Sequence, residues 1–381
     1  MKIVVAPDSF KESLSAKEVA LAIARGIQRV LPDATVLCIP MADGGEGTVN
    51  AVLAATKGEQ RISIAQDALG QPRNAAWAWL PAKTAVIEMA TAAGLELIRP
   101  EDRDPMRASS FGVGEMILDA LDQGAEHIVL GLGGSATNDA GAGMLQALGL
   151  KLTDSEGYTL APGGAALIRL AALDATNLDP RLKTVRVTIA SDVDNPLCGT
   201  QGASAIFGPQ KGATPAQVRQ LDEALGHFAD SVTRTMGHDF RNSKGSGAAG
   251  GLGFAAHSFM KARFRPGVEV IAELSDLVKA VDGASLVVTG EGRMDAQTLH
   301  GKTPMGVAQI AKRLSVPVIA IAGSLGIGYK ELYGVGIQAA FSLTNGPMTL
   351  AQACQDCAQL LEDRAEDIIR VWLAGQLSVH A

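Results

Sequence analysis

The sequence contains few cysteines, few aromatic residues and no excess of basic charge. Its 381 residues include four cysteines, an aromatic share of 4% and a formal net charge of -7. Four cysteines in a chain of this length do not make a disulfide framework. Lysine and arginine are dispersed rather than clustered with aromatic residues, so nucleic acid is not an expected partner.

Long apolar runs are also absent. The sequence has no apolar stretch of about 18 residues, the length that a membrane-spanning helix needs. The first apolar run, KIVVA, is ended by Pro7 and is too short for a signal peptide. We therefore expect a cytoplasmic protein with no membrane partner. A hydrophobic content of 47% is enough to build a sizeable core in two or three domains.

Cys354 and Cys357 form a C-x-x-C pair, a spacing that occurs in metal-binding and redox sites. The pair lies within a long helical pattern, and no second close pair completes a four-ligand zinc site. We interpret both cysteines as helix-packing residues.

Seven continuous apolar runs predict strands that are buried on both faces, as in a parallel sheet. Amphipathic stretches between them supply the crossover helices of an α/β fold. We therefore predict an α/β protein with an open parallel sheet of the Rossmann or flavodoxin-like kind. The runs occupy residues 2–6, 35–40, 127–132, 185–190, 285–290, 317–323 and 338–343.

The rhythm of strand and helix breaks between about residues 60 and 90. Three short strands, separated by the turn signals LGQP and PAK, predict antiparallel hairpins with Trp77 and Trp79 on one face. The rhythm resumes near residue 284. We therefore predict a discontinuous parallel-sheet domain of residues 1–62 plus 263–381, a mixed α/β domain of residues 63–262 inserted into it, and an active-site cleft between the two.

Acids cluster directly after the predicted strands. In open α/β sheets the ligand lies outside the carboxyl ends of the strands, so the loops there are expected to line a site. The alternative is that these acids cap helices and shape turns. They are Asp8, Asp43, Glu46, Asp139, Asp192, Asp194, Glu291 and Asp295.

Glycines in the same loops favour an anionic ligand, because backbone N–H groups can approach it closely. Many carboxylates beside a phosphate require a cation, and Mg²⁺ prefers one or two carboxylates together with phosphate oxygens. Four basic residues in or near these loops could also neutralise a transferring phosphoryl group. They are Lys11, Lys211, Arg293 and Lys302.

The stretch LGLGGSATNDAGAGM at residues 130–144 has two interpretations. Gly131, Gly133 and Ala136 fit the dinucleotide-binding fingerprint, and Asp154 has the spacing of a ribose-binding acid, which favours a dehydrogenase.

The polar residues of this stretch favour a different ligand. Asn138 and Asp139 stand where the dinucleotide fingerprint usually runs straight into a helix of small residues. The better hypothesis is a loop whose N–H groups, with the hydroxyls of Ser135 and Thr137, hold phosphate or a carboxylate at a helix N-terminus.

Other nucleotide motifs are absent or weak. HGKT at 300–303 is not a P-loop, because position 296 is Ala and Pro304 follows directly. GSGAAG at 245–250 follows a polar segment instead of a strand, so we interpret it as a flexible or ligand-facing loop. His300 is interpreted as structural or substrate-orienting rather than catalytic.

Five longer motifs together resemble the bacterial glycerate kinase family of the type that makes 2-phosphoglycerate. They are APDSFKESLSA at the start, ADGGEGT at 42–48, GGSATND at 133–139, FGPQKGA at 207–213 and TGEGRMDAQTLHGKTP at 289–304. The resemblance runs nearly end to end. It implies ATP-dependent, Mg²⁺-assisted phosphorylation of D-glycerate on the 2-hydroxyl, and two α/β domains of which one interrupts the other. Phe10 and Met294 within these motifs are apolar and are not expected to touch the chemistry.

The expected partners are therefore ATP and D-glycerate, with Mg²⁺. Two alternatives stay open, an NAD(P)-dependent dehydrogenase of a small hydroxy acid and a non-catalytic sugar-acid-binding protein. A homodimer is compatible with the sequence, and the domain that binds ATP is not predicted.

Roles follow from residue type and position. Asp192, at the end of a buried strand, is the first choice to orient or deprotonate the acceptor hydroxyl, with Asp8 and Asp295 as rivals. Lys11 and Arg293 are expected to hold the glycerate carboxylate or the phosphoryl group. Mg²⁺ is expected at Asp192 and Asp194. The other expected substrate- or nucleotide-binding residues are Ser9, Asp43, Gly44, Gly45, Glu46, Gly133, Gly134, Ser135, Thr137, Asn138, Asp139, Lys211, Gly290, Glu291, Gly292 and Lys302.

Overall fold

The computed structural model describes residues 1–299 and 301–377, so His300 and its predicted role lie outside the described residues. All seven apolar runs form strands, which confirms the predicted α/β class. In chain order the strands are β1 (Lys2–Val5), β2 (Thr35–Cys38), β3 (Glu59–Gln66), β4 (Pro72–Leu80), β5 (Thr84–Glu88), β6 (His127–Gly131), β7 (Lys151–Thr153), β8 (Ala172–Asp174), β9 (Arg186–Ala190), β10 (Arg263–Arg265), β11 (Leu286–Met294), β12 (Val318–Leu325) and β13 (Ile337–Ser342).

Helices alternate with most of these strands, as the amphipathic stretches predict. Among residues 1–299 and 301–377, no helix is both long enough and apolar enough to cross a membrane. In chain order the helices are α1 (Ala16–Val30), α2 (Thr48–Ala55), α3 (Ala90–Ala93), α4 (Phe111–Asp122), α5 (Ala142–Ala147), α6 (Ala203–Phe207), α7 (Pro215–Met236), α8 (Ala248–Met260), α9 (Gly267–Leu274), α10 (Leu277–Val281), α11 (Thr303–Arg313), α12 (Leu350–Gln355) and α13 (Cys357–Leu377).

The chain divides into two compact units. The first unit contains residues 1–43, 50–57 and 266–381, and the second contains residues 44–49 and 58–265. The predicted boundaries at 62/63 and 262/263 differ from these. Strand β3 begins at Glu59 and pairs along its length with β4, and β10 pairs with β9, so both strands lie in the second unit. The predicted cleft between the domains stays a prediction.

The first unit is built on a five-stranded sheet in the order β2-β1-β11-β12-β13. All its strand pairs are parallel. Counted within this unit, the order is 2-1-3-4-5, the flavodoxin-like arrangement, whose switch point lies between β1 and β11. Its core contains Ile3 and Val5 of β1 and Ile23 of α1, with Leu361 of α13. The sheet therefore brings the ends of β1 and β11 together, where a ligand crevice is expected.

Strand β11 is longer than predicted. Its apolar run ends at Gly290, but pairing with β12 continues to Met294, which lies opposite Leu325. Glu291 and Arg293 are thus strand residues instead of loop residues. A Cβ at Gly290 would lie 2.0 Å from the carbonyl oxygen of Ile321, so this glycine is required for strand packing. Strand packing therefore accounts for a glycine at position 290 without any contact to a ligand.

The second unit is built on a six-stranded mixed sheet in the order β10-β9-β6-β5-β4-β3, with a separate hairpin of β7 and β8. Strands β3, β4 and β5 form the predicted antiparallel hairpins, but β5 also pairs in parallel with β6. Trp77 is fully buried, and the Trp79 ring lies edge-on to it at 6.1 Å. The parallel part of the sheet therefore begins at β5, and the carboxyl ends of β5, β6 and β9 lie at one edge.

Candidate active-site residues in the two units

Asp8 lies at the switch point of the first unit. The Asp8 N–H donates to the carbonyl of Gly290 at 2.8 Å, so the residue continues the pairing of β1 with β11. Its carboxylate accepts the Thr303 hydroxyl at 2.5 Å and the Ser9 N–H at 2.6 Å. Burial, followed by the negative charge of Asp43, raises the pKa of Asp8 to about 7, and the two donors oppose this shift.

Glu291 is the second carboxylate of this edge, and it is buried whereas Asp8 is half-buried. The Thr298 hydroxyl donates to it at 2.6 Å, and the Lys302 ammonium lies 3.3 Å from its other oxygen. Burial raises the pKa of Glu291, while Thr298 and Lys302 oppose the shift. Lys302 occupies the N-cap position of α11 without a capping side-chain hydrogen bond, and Thr303 is the first residue of that helix. The start of α11 therefore supplies one partner to each of the two carboxylates, Thr303 to Asp8 and Lys302 to Glu291.

Three further predicted residues of the first unit are more exposed. Lys11 and Arg293 are exposed. Arg293 Nε lies 3.1 Å from Asp295 Oδ2, and the Gln297 N–H donates to Asp295 at 2.9 Å. The Gln297 N–H and then Arg293 lower the pKa of Asp295. Gly292 lies between these residues, and a Cβ there would lie 3.6 Å from the backbone nitrogen of Lys11. A carboxylate stabilised as the anion is a weak base, so Asp295 is less suited than Asp8 to accept a proton.

Residues 44–49 of the second unit cross the carboxyl ends of its parallel strands. A Cβ at Gly44 would lie 2.5 Å from the carbonyl of Ala190, the last residue of β9. At the end of β6, a Cβ at Gly131 would lie 2.6 Å from the Gly44 carbonyl, and one at Gly133 would lie 2.5 Å from Gly45 Cα. These glycines are needed because two backbone segments touch.

Glu88, the last residue of β5, holds the same segment. It is buried, with 5% of its surface exposed. Its carboxylate accepts the N–H of Val49 at 2.5 Å and the N–H of Gly47 at 3.2 Å. Burial raises the pKa of Glu88 to about 7; the two N–H groups lower it, and the Glu46 carboxylate adds to the rise. Glu88 is not among the site residues that the sequence predicts.

Lys211 is buried beneath the glycine-rich loop. Its side chain is 2% exposed, and its ammonium donates to the Ser135 hydroxyl at 2.9 Å and to the Thr137 carbonyl at 2.6 Å. Burial lowers the pKa of Lys211 to about 7, and the nearby Asp139 opposes this shift. Lys211 is therefore part of the loop's internal structure. The neighbouring Gly134 is exposed and left-handed, with φ of 71°.

Asp139 caps the N-terminus of α5, the helix that follows the glycine-rich loop. Its carboxylate accepts the N–H groups of Gly141 and Gly143 at the start of α5, and the N–H and hydroxyl of Ser110. The Ser110 hydroxyl in turn accepts the N–H of Met144. The prediction of an anion at this helix N-terminus is wrong, because protein groups already satisfy its N–H donors. Asp139 shapes the loop.

Two buried polar atoms of the loop have no hydrogen-bond partner in the described part of the chain. They are Thr137 Oγ1 and Asn138 Oδ1, although Asn138 Nδ2 donates to the Ser204 hydroxyl at 2.8 Å. Gly250 packs against the backbone of the same two residues, since a Cβ there would lie 1.9 Å from the Thr137 carbonyl oxygen and 2.6 Å from Asn138 Cα. Residues 245–250 are all buried, so they do not form an exposed flexible loop, and the ligand-facing alternative stays a prediction.

The dinucleotide interpretation loses its geometric support. Helix α5 begins only at Ala142, eleven residues after Gly131. Asp154 accepts the N–H groups of Glu156 and Tyr158, both at 3.0 Å, and so shapes a turn. Neither feature resembles a pyrophosphate-binding turn with a ribose-binding acid.

Asp192 and Asp194 follow β9 and are both exposed. Lys244 Nζ lies 3.2 Å from Asp194 Oδ2, and both of these side chains are mostly exposed. Within residues 1–299 and 301–377, no group of three or more His, Cys, Asp or Glu side chains is placed to hold a metal ion. A pair of exposed carboxylates fits Mg²⁺ that is shared with phosphate oxygens, not an all-protein site.

The sequence and fold match known proteins along nearly the whole chain. The model of the glycerate kinase family matches residues 3–373. Glycerate 2-kinase of Escherichia coli (strain K12) is 49% identical over 354 residues, 93% of each chain. Glycerate kinase of Bacillus subtilis (strain 168) is 48% identical over 369 residues, 97% of each chain. The crystal structure of a candidate glycerate kinase 2 from Salmonella typhimurium LT2 has a TM-score of 0.90 at 47% identity and covers 99% of both chains. The chain therefore belongs to the glycerate kinase family, as its motifs predict.

Proposed function

We propose that this protein is a glycerate 2-kinase, which transfers the terminal phosphoryl group of ATP to the 2-hydroxyl of D-glycerate and releases ADP. The 49% identity to the Escherichia coli glycerate 2-kinase over 93% of both chains carries this proposal. The half-buried Asp8 and the buried Glu291, both at the switch point of the first unit, supply groups suited to phosphoryl transfer.

Asp8 is the proposed group that orients the acceptor hydroxyl and receives its proton. A general base works best when its pKa lies near the operating pH, and burial beside Asp43 raises the pKa of Asp8 to about 7. The Thr303 hydroxyl and the Ser9 N–H fix the direction of the carboxylate. This assignment replaces Asp192, which is exposed, as the first choice.

The cations of the first unit are proposed to hold the negatively charged parts of the substrates. Lys11 and Arg293 are exposed, and Lys302 lies beside the buried Glu291. The Arg293 guanidinium can bind a carboxylate or phosphoryl group with two parallel hydrogen bonds. In the second unit, the exposed Gly134 lies in a loop of small residues and is proposed to contact an anion through its backbone.

Mg²⁺ is proposed to bind at Asp192 and Asp194 together with phosphate oxygens of ATP. When bound, it would neutralise part of the phosphate charge. Both carboxylates are exposed, so a phosphate-bound ion can reach them.

The proposal is tested by measuring ADP release from purified protein given ATP, Mg²⁺ and D-glycerate. We expect turnover that requires all three components. A mixture without D-glycerate is the control for ATP hydrolysis. Absence of D-glycerate-dependent ADP release would contradict the kinase assignment, and reduction of NAD⁺ or NADP⁺ with D-glycerate would support the dehydrogenase alternative.

A further inference from the structure

We propose that Glu88 is a positioning residue, which fixes residues 44–49 across the carboxyl ends of β5, β6 and β9 and thereby sets the ligand-binding geometry of that segment. The inference rests on the proposed function, since it assigns Glu88 a part in the same reaction. Glu88 lies outside the five motifs of the family resemblance.

The geometry of Glu88 favours a positioning role. Its two carboxylate oxygens each accept a backbone N–H, one from Val49 and one from Gly47. A carboxylate that accepts N–H groups from two residues of one segment fixes both the position and the direction of that segment. With both oxygens used in this way and only 5% of the residue exposed, Glu88 is not placed to receive a substrate proton.

The segment that Glu88 holds needs such a support. Gly44 and Gly47 have left-handed φ angles of 89° and 88°, which few other residues adopt without strain. A Cβ at Gly47 would meet no atom within 4 Å, so its local packing is open. Glycines also gain the most conformational freedom when their contacts are lost. Hydrogen bonds to a buried charge are therefore an effective way to hold these residues.

The segment also contacts the glycine-rich loop directly. Gly44 packs on Gly131, and Gly45 packs on Gly133, at distances that leave no room for a Cβ on Gly131 or Gly133. A shift of residues 44–49 would therefore move the backbone at the start of that loop. Glu88 thus acts on the proposed anion-binding residues through Gly47 and Val49, without touching a ligand.

The test compares Glu88→Gln and Glu88→Asp with the wild type. Gln keeps the shape but points an N–H₂ group at one of the two backbone donors. Asp keeps the charge, but its side chain is one methylene shorter and cannot reach both backbone N–H groups. The kinetics are measured at pH 8, above the pKa of about 7 that burial gives Glu88, so that the side chain is mainly charged. Positioning then requires both charge and reach, so both variants should raise KM for ATP or D-glycerate by about 10-fold to 100-fold, with a smaller fall in kcat.

Hydrogen–deuterium exchange supplies a second readout that needs no turnover. Amide exchange in a peptide covering residues 44–49 should become faster in both variants, while exchange in β12 stays unchanged. Glu126→Gln, an exposed carboxylate of the same unit that pairs with Lys83, is the matched control and should leave both readouts unchanged.

The two readouts separate the possible failures. Folded variants with unchanged exchange at residues 44–49 would overturn the proposal, as would normal KM and kcat in an active enzyme. A defect in Glu88→Gln alone, with Glu88→Asp behaving as wild type, would show that charge and not position matters, and would also overturn it. If the wild type has no kinase activity, the proposed function fails while the exchange result still decides whether Glu88 fixes the segment.

Discussion

The Thr303 hydroxyl donates a hydrogen bond to the Asp8 carboxylate, joining the first residue of α11 to the loop that follows β1. The two residues are 295 positions apart in the chain. Their contact places a half-buried carboxylate with a raised pKa at the switch point of a flavodoxin-like sheet.

Replacing Asp8 by Asn should mainly reduce turnover. Asn keeps the shape but cannot receive a proton, and general-base assistance is worth about 10²-fold to 10⁴-fold, so kcat should fall by roughly that range. KM for D-glycerate should change little. Steady-state kinetics measure both. Asp192→Asn is the comparison: its defect should be partly rescued by more Mg²⁺, because the Asn carbonyl is a weaker oxygen ligand, whereas Asp8→Asn should not respond. A kcat of Asp8→Asn near that of the wild type would contradict the assignment.

The same substitution should stabilise the protein at alkaline pH. Folding raises the pKa of Asp8 from 3.8 to about 7, so the folded state holds this proton more tightly and its stability falls as pH rises from about 4 to 7. Asn carries no such charge. At pH 8 we expect Tm of Asp8→Asn to exceed that of the wild type by roughly 2–4 °C, with the difference shrinking towards pH 4. A lower Tm at pH 8 would show that the charge on Asp8 is not unfavourable in the folded state.

The pH profile should depend on the Thr303 hydroxyl. This hydroxyl lowers the pKa of Asp8, so its removal in Thr303→Val should raise that pKa further. Because the base must be deprotonated, kcat/KM rises with pH, and the rise should move to higher pH in the variant. Thr303→Ser keeps a hydroxyl and is the matched control. Identical profiles for Val and Ser would contradict the role of this hydrogen bond.

Lys211 should be required for the structure of the glycine-rich loop. Lys211→Met leaves the Ser135 hydroxyl and the Thr137 carbonyl without their buried donor, which costs about 1–3 kcal/mol of unfolding free energy. Urea unfolding of this variant measures the loss. Lys183→Met, at an exposed lysine of the same unit, should change stability by less than about 0.5 kcal/mol. Equal stabilities of the two variants would show that the buried contacts contribute nothing.

Gly250 should tolerate substitution much less than Gly157. Both have left-handed backbones, with φ of 65° and 85°. An added Cβ would lie 1.9 Å from the Thr137 carbonyl at Gly250 but would meet nothing within 4 Å at Gly157. Gly157→Ala should therefore cost only backbone strain, about 1 kcal/mol, and Gly250→Ala should cost clearly more. Chemical denaturation compares them, and similar losses would argue against the close packing.

The sequence predicted most of the fold because its signals are local. Continuous apolar runs mark buried strands such as β1 and β12, and each run lies within a few residues of the observed strand. Phe10 and Met294 lie within the family motifs but are apolar, so they were not expected to contact a substrate. Both are buried in the interior.

Other features depend on pairing or on distant partners that the sequence does not display. Glu88 was missed because β5 was predicted only as a hairpin strand, although its parallel pairing with β6 puts its last residue at the ligand edge. The Ser110 hydroxyl, at the start of α4, accepts the Met144 N–H of α5, a contact between residues distant in the chain. The glycines near Gly250 suggest flexibility in sequence, whereas in the structure they permit close backbone packing.

The position of phosphate on the product tests the central claim most directly. Purified protein is incubated with ATP, Mg²⁺ and D-glycerate, and the product is examined by proton-coupled phosphorus-31 NMR. A glycerate 2-kinase should give a product whose phosphorus couples to the single proton on C2, whereas phosphate on the 3-hydroxyl would couple to the two protons on C3. Phosphate on the 3-hydroxyl would contradict the proposed regiochemistry, and no phosphorylated product would contradict the kinase assignment.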